Sequence, residues 1–227
     1  INPMEMDRHY GDDDDPIQTK SELILSIFEQ ISGDSVLDGG DKSIIDRCVK
    51  GIYAEYIRNG YQGAPPTLHD LYMMLDAMGE KEDKARQLAL SLELYTEGTL
   101  NMFAHQSNVD ISNRIINFET SRLGEQQKII GTLIILDNVL NRVMQNRGSG
   151  RRIWVFFDEL HLLLKTPYTA NFLSKLWVRI RKNGGMCVGS IQSLAQCRNV
   201  NSETMINKPA FVVMLAQSQD CPLYSSD

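Results

Sequence analysis

Residues 151–164 read RRIWVFFDELHLLL and join the most strand-like run of the chain to two adjacent carboxylates. Ile153 to Phe157 is an uninterrupted apolar run of aromatic and β-branched residues, which predicts a strand of a parallel sheet buried on both faces. Asp158 and Glu159 follow at the carboxyl end of that strand. Because open parallel sheets bind their ligands at this edge, the segment predicts both a sheet and the place of a site.

Strands and helices are expected to alternate through the second half of the chain. Residues 125–147 and 169–182 carry apolar residues at steps of three and four, which predicts helices. Such alternation indicates a mainly parallel sheet flanked by helices, that is, an α/β fold. The expected strands are residues 114–118, 153–157, 186–191 and 210–215, and a short helix is expected after residue 191.

The region between residues 16 and 107 predicts only helices. Its start signals include Asp15 before Pro16, Asp41 or Ser43, and Thr67 with an acidic residue three positions later, at Asp70. Four adjacent aspartates precede Pro16 and could bind a cation, but we favour a solvated helix start. The predicted organisation is an α/β core of residues 1–15 and 108–227, with residues 16–107 as an all-helical insertion.

Composition excludes several classes of protein. The chain has 227 residues, 42% hydrophobic and 23% charged, and its net charge of −6 gives no global attraction to nucleic acid or anionic lipid. The sequence has no apolar run long enough for a membrane-spanning helix. Its four cysteines lack a C-x-x-C pair, so free thiols are expected rather than a zinc site.

The acidic pair has two interpretations. At the carboxyl end of a strand, Asp158 would hold Mg²⁺, usually through water, and Glu159 would orient or polarise the attacking water, as phosphoryl transfer requires. In the alternative, Asp158 only caps the next helix and Glu159 lies in its favourable first turn.

Further polar residues point to the same edge. Gln192 follows the next expected strand, and its amide could both donate to a γ-phosphate and accept from water, or it could only cap a helix. Arg179 and Arg181 lie about 200° apart around one helix, so they cannot share one task. One of them could reach the site of a neighbouring subunit, or both could be solvated cations at a helix end.

The phosphate-binding half of such a site is missing from the 227 residues. No G-x-x-x-x-G-K-[ST] segment occurs, and the loose imitation at residues 39–43 has an aspartate between its glycine and lysine. Without that loop the chain carries half of a nucleotide site. Its capacity to act as an enzyme by itself is therefore uncertain.

Taken together, these residues resemble the large conjugative-transfer ATPases of type IV secretion systems, particularly those of Gram-positive conjugative elements. The resemblance is carried by residues 154–164, 169–173, 176–177, 179, 181–182 and 184–185. It extends to residues 2–3, 11–16, 20–21, 42–48, 108–110, 113–114 and 211–215. It implies a RecA-like motor with a helical insertion, a hexameric ring, and Mg-ATP-driven work with other secretion components at the cytoplasmic face of the membrane. The phosphate loop of the family would precede residue 1.

The resemblance also implies roles for individual residues. Asp158 and Glu159 become the Walker B pair with ATP and Mg²⁺ as cofactors, Gln192 becomes the sensor, and Arg181 the finger that acts in trans, with Arg179 in reserve. Two functions follow: part of an ATP-hydrolysing motor for transfer of DNA or protein, or a catalytically inert module that only docks subunits or partners. A ring motor that threads DNA directly is disfavoured, since this segment has no basic stripe with interleaved aromatic residues.

Overall fold

The computed structural model describes residues 1–10, 15–33, 36–111, 113–147, 149–164, 167–192 and 211–213. Within these ranges the chain is mostly helical, with one small parallel sheet. The helices are α1 (Pro16–Ile31), α2 (Gly39–Arg58), α3 (Leu68–Gly79), α4 (Asp83–Thr96), a 3-10 turn (Asn101–Phe103), α5 (Glu125–Gln145), α6 (Leu160–Leu163) and α7 (Pro167–Lys182), and the strands are β1 (Trp154–Phe157) and β2 (Met186–Gly189).

Local capping explains where the first helices begin. The Asp15 carboxylate accepts from the amide of Ile17 at 2.9 Å at the start of α1, with Pro16 in the first turn. Thr67 and Asp70 form the reciprocal capping box that their spacing predicts for α3. Helix α2 also begins with a capping box, but Asp38 is its N-cap, so it starts earlier than at Asp41 or Ser43.

Two apolar clusters form the core, and α5 contributes to both. The first cluster joins the N-terminal segment, α1 to α4 and the first half of α5, where Ile130, Leu133 and Ile134 are buried. The second joins the other half of α5, from Leu136 to Met144, to β1, α6 and α7. A single helix therefore connects the helical region with the sheet. The division of the chain into a core and an insertion stays a prediction.

Strands β1 and β2 are parallel, with Trp154 opposite Met186 and Phe157 opposite Gly189. One face of β1 is buried, through Val155 and Phe157. On the other face Trp154 and Phe156 stack on each other and remain 55% and 71% exposed. The prediction that β1 is buried on both faces is therefore wrong for this chain, because the described helices that pack on the sheet, α5, α6 and α7, leave the face of Trp154 and Phe156 exposed.

One of the predicted strands is absent from the described residues, and another is described only at residues 211–213. Residues 113–115 form bends and residues 116–120 have no regular secondary structure, so the expected strand at 114–118 is wrong. No described residue pairs with this segment in a ladder, which a strand requires. Residues 211–213 likewise have no regular structure and are exposed. The rest of the expected strand at 210–215 and the helix after residue 191 fall in residues that the structure does not describe.

No helix in the described ranges combines the length and apolar character needed to cross a membrane.

Cys48 and Cys187 are free thiols. Burial raises the pKa of the Cys48 thiol to about 11 and that of Cys187 to about 12, as expected for thiols packed among apolar side chains. Cys197 and Cys221 lie outside the described residues.

Candidate functional site

The carboxyl ends of β1 and β2 lie side by side, as the parallel register requires. The ladder continues one residue past β2, because the amide of Ser190 donates to the Phe157 carbonyl at 2.9 Å. Asp158 and Glu159 leave β1 at this edge, and Gln192 leaves β2 three residues after Gly189. The structure thus brings together three of the five side chains that the sequence singled out.

Asp158 is exposed at the edge and is engaged on one oxygen only. Its Oδ1 accepts from the Ser190 hydroxyl at 2.7 Å and from the amide of Glu159 at 3.1 Å. No other described residue donates to Asp158, so Oδ2 has no protein partner within the described chain. The side chain does not provide the N-cap of α6, since that position is Glu159, which makes no side-chain capping bond.

Glu159 adopts a left-handed backbone conformation, with φ of 52° and ψ of 46°. Such a conformation costs about 1–3 kcal/mol for a residue other than glycine, and residues held in it are concentrated at functional sites. The Gln192 side-chain amide donates to Glu159 Oε1 at 2.5 Å, and His161 Nδ1 lies 3.4 Å from Oε2. Both carboxylate oxygens of Glu159 therefore face polar side chains.

The packing under the edge fixes where the α6 segment lies. The Leu160 amide donates to the Ser190 carbonyl at 2.9 Å, which ties the start of α6 to the end of β2. A Cβ on Gly189 would lie 2.6 Å from Leu160 Cδ2, so the absence of a side chain at Gly189 lets the buried Leu160 approach the strand.

The two arginines lie on different faces of α7. Arg179 is half-buried and lines a cavity of about 260 Å³ between α1, α5 and α7, together with Asp137. Arg181 is exposed and lies with Trp177, Val178 and Lys182 along a second depression. Neither depression includes Asp158 or Glu159. The predicted separation of the two arginines is confirmed, but their roles stay predictions.

Sequence reasoning gave no role to two residues of the site, Ser190 and His161. Ser190 is a polar residue directly after an apolar strand, which was the available signal. Nothing in the sequence shows that its hydroxyl faces Asp158, because this contact joins residues 32 positions apart. His161 is nearly buried, and its Nδ1 makes no hydrogen bond to a described residue.

The donor set suits a hard divalent cation that keeps most of its water. In the described ranges, no group of three or more His, Cys, Asp or Glu side chains is arranged to enclose a metal. Mg²⁺ dehydrates reluctantly and is often held by one or two carboxylates, several waters and phosphate oxygens. An exposed carboxylate with one unengaged oxygen at the end of a strand fits that kind of binding.

Comparisons with known proteins show what the sequence and the fold are similar to. Residues 115–214 match the family model described as the type IV secretion-system coupling protein DNA-binding domain. The fold is similar to a solved structure of VirB4 from Thermoanaerobacter pseudethanolicus, with a TM-score of 0.72 and 21% sequence identity. That match covers 89% of this chain and 56% of the VirB4 chain. A comparison with curated protein sequences gave no match. The resemblance to proteins of type IV secretion systems is thereby confirmed.

Proposed function

We propose that this relative of the type IV secretion ATPases forms part of an ATP-hydrolysing motor that drives transfer of DNA or protein. The observation that carries the proposal is the convergence of Asp158, Glu159 and Gln192 at one edge of a parallel sheet. In this motor Asp158 would hold Mg²⁺ through water, and Glu159 would orient the attacking water.

The contact between Gln192 and Glu159 supports a sensor role for the glutamine. An amide N–H that donates to a carboxylate can instead donate to a γ-phosphate, because both acceptors are anionic oxygens. A Gln192 amide that donates to a γ-phosphate would no longer donate to Glu159, and the Glu159 carboxylate could then accept from water.

Arg181 is the better of the two arginines for a role in a neighbouring subunit. Its side chain is exposed and makes no hydrogen bond or ion pair with a described residue, whereas Arg179 faces a cavity of its own chain. A planar, permanently charged guanidinium suits the charge that develops during phosphoryl transfer. This role requires a ring, and we propose a hexamer.

Several properties of the assembled motor belong to the same proposal. They are a complete RecA-like sheet, a helical insertion of residues 16–107, work at the cytoplasmic face of the membrane, and contact with other secretion components. The chain spans about half of the solved VirB4 chain that it resembles, so these properties concern the assembly rather than the described residues alone.

Calorimetric titration with Mg-ATP tests the proposal. The proposal predicts micromolar binding by the wild-type chain, which requires that the site be completed without the missing phosphate loop, and loss of that binding in Asp158→Ala, because the metal loses its carboxylate. Asp76→Ala removes an exposed carboxylate from α3 and serves as the matched control, with unchanged affinity expected. Absence of heat at millimolar Mg-ATP would contradict nucleotide binding by this chain and would favour the docking module that acts only on subunits or partners.

A further inference from the structure

We propose that Ser190 is the positioning residue of the acidic edge, in that its hydroxyl fixes the Asp158 carboxylate so that Oδ2 faces the metal. This inference rests on the proposed function, since it assigns the group that orients the proposed Mg²⁺-holding side chain. Ser190 belongs to neither the acidic pair nor the sensor position. Its geometry alone leads to the assignment.

The backbone of Ser190 is fixed to the turn that carries the acidic pair. Its amide donates to the Phe157 carbonyl at 2.9 Å, and its carbonyl accepts from the Leu160 amide at 2.9 Å. These two bonds lie immediately before and after Asp158 and Glu159. The backbone of Ser190 is therefore bonded on both sides of the acidic pair, although its side chain is exposed.

The hydroxyl of Ser190 uses both of its hydrogen-bonding functions on this turn. It donates to Asp158 Oδ1 at 2.7 Å and accepts from the Glu159 amide at 3.3 Å. The second bond, shared with Asp158 Oδ1, satisfies the amide of the residue that has the left-handed conformation. One side chain thus holds the carboxylate and supports the strained backbone beside it.

The hydrogen bonds to Asp158 Oδ1 fix the orientation of the carboxylate and therefore the direction of Oδ2. An exposed aspartate at the end of a strand would otherwise exchange among staggered rotamers, and each immobilised side chain costs free energy when a ligand binds. Two donors on Oδ1 select one orientation in advance and leave Oδ2 as the free acceptor. Loss of the bond that holds this orientation should therefore weaken metal-dependent binding by about tenfold.

Substitution of Ser190 tests the assignment with two readouts. We expect Ser190→Ala to weaken Mg-ATP binding about tenfold by calorimetry, whereas Ser190→Thr, which retains the hydroxyl, should restore most of the affinity. Ser43→Ala removes an exposed hydroxyl that bonds only within α2 and should leave the affinity unchanged. Wild-type affinity in Ser190→Ala would overturn the proposal.

The second readout needs no nucleotide and separates this proposal from the proposed function. Three-bond NMR couplings report the χ1 rotamer of Asp158. We expect a single rotamer in the wild type and in Ser190→Thr, and averaged couplings in Ser190→Ala. Averaged couplings in the wild type, or a single rotamer in Ser190→Ala, would overturn the positioning role whether or not ATP binds. The expected rotamers without any Mg-ATP binding would instead contradict the proposed function and, with it, the metal-directing part of the role.

Discussion

Lys20 shows how a single buried charge can hold three parts of the chain together. Its side chain is completely buried, and its ammonium group donates to Asp137 Oδ2 at 2.9 Å and to the carbonyls of Pro3 and Glu5 at 3.0 Å. The Tyr10 hydroxyl donates to the other Asp137 oxygen, and the ammonium lies 4.2 Å from the Tyr10 ring centroid. All three N–H groups are satisfied, which makes burial of the charge tolerable.

Removing this ammonium group should be strongly destabilising. We expect Lys20→Ala to lower the free energy of unfolding by about 3–5 kcal/mol, because Asp137 is left buried without its counter-charge. Lys42→Ala is the matched control, since the Lys42 pair with Glu29 is largely solvated and should contribute about 0–1 kcal/mol. Urea denaturation measures both variants. A loss below 1 kcal/mol in Lys20→Ala would contradict the role of the pair.

The burial of Lys20 could not be predicted from the sequence. A lysine in the first turns of an amphipathic helix is normally solvated, and its partner Asp137 lies 117 positions away. Burial of the Tyr10 hydroxyl beside this ion pair raises the pKa of Tyr10 well above its ordinary value, chiefly through desolvation and then through the Asp137 charge.

The contact of Ser190 with Asp158 could not be predicted from sequence either, since it depends on the parallel register of two strands. Asp158 was identifiable because it follows an apolar run directly, and Gln192 because it follows the strand expected at residues 186–191.

Helices, which depend on residues close in sequence, were predictable. Strands, which depend on pairing with residues distant in sequence, were less so. The cap of α3 was correctly predicted because Thr67 and Asp70 determine it within one turn. The strand expected at 114–118 is absent because a strand depends on a neighbour that the sequence does not specify. Helices α5 and α7 were correctly predicted because their apolar stripes extend over several turns.

The cap of α2 should give the protein a specific acid dependence. The Lys84 side chain lowers the pKa of Asp38 to about 2, with help from the Asp41 amide. Because the folded pKa lies below the ordinary value of 3.8, the charged cap stabilises the protein above about pH 4, and this contribution is lost as the pH falls toward 2.

Asp38→Asn keeps a capping side chain but removes the charge. We expect the difference in unfolding midpoint between wild type and Asp38→Asn to be constant above about pH 5 and to shrink as the pH falls through 4 toward 2. Asp76→Asn, which changes an exposed carboxylate without a helix cap, should show no comparable trend. Thermal unfolding followed by circular dichroism provides the midpoints. A difference that stays constant down to pH 2 would show that the charge of Asp38 does not stabilise α2.

The sharing of α5 between the two apolar clusters predicts that the chain unfolds as one unit. Both tryptophans, Trp154 and Trp177, lie in β1 and α7, whereas most helical residues lie in the first cluster. Tryptophan fluorescence and far-ultraviolet circular dichroism therefore report on different regions. We expect coincident urea transitions by the two probes, and Leu133→Ala should shift both by the same amount, with a loss of about 2–5 kcal/mol. Separate transitions would show that α5 does not couple the two clusters.

The net charge of the chain predicts weak binding to nucleic acid. The matched family model is described as a DNA-binding domain, so this prediction is a direct test. With a net charge of −6, we expect no binding to single- or double-stranded DNA at about 0.15 M salt. Fluorescence anisotropy with labelled oligonucleotides measures this. Binding that weakens steeply with salt would contradict the prediction and favour direct DNA threading, and Arg151→Ala with Arg152→Ala would then test the exposed basic pair before β1.

Paramagnetic NMR shows whether the metal of Mg-ATP binds at the end of β1. Mn-ATP broadens nearby resonances, with Mg-ATP as the diamagnetic control. We expect the strongest broadening at the amides of Glu159, Leu160 and Ser190, and its disappearance in Asp158→Ala. Broadening that is centred elsewhere, for example on the four aspartates before Pro16, or that persists in Asp158→Ala, would rule out a metal site at Asp158.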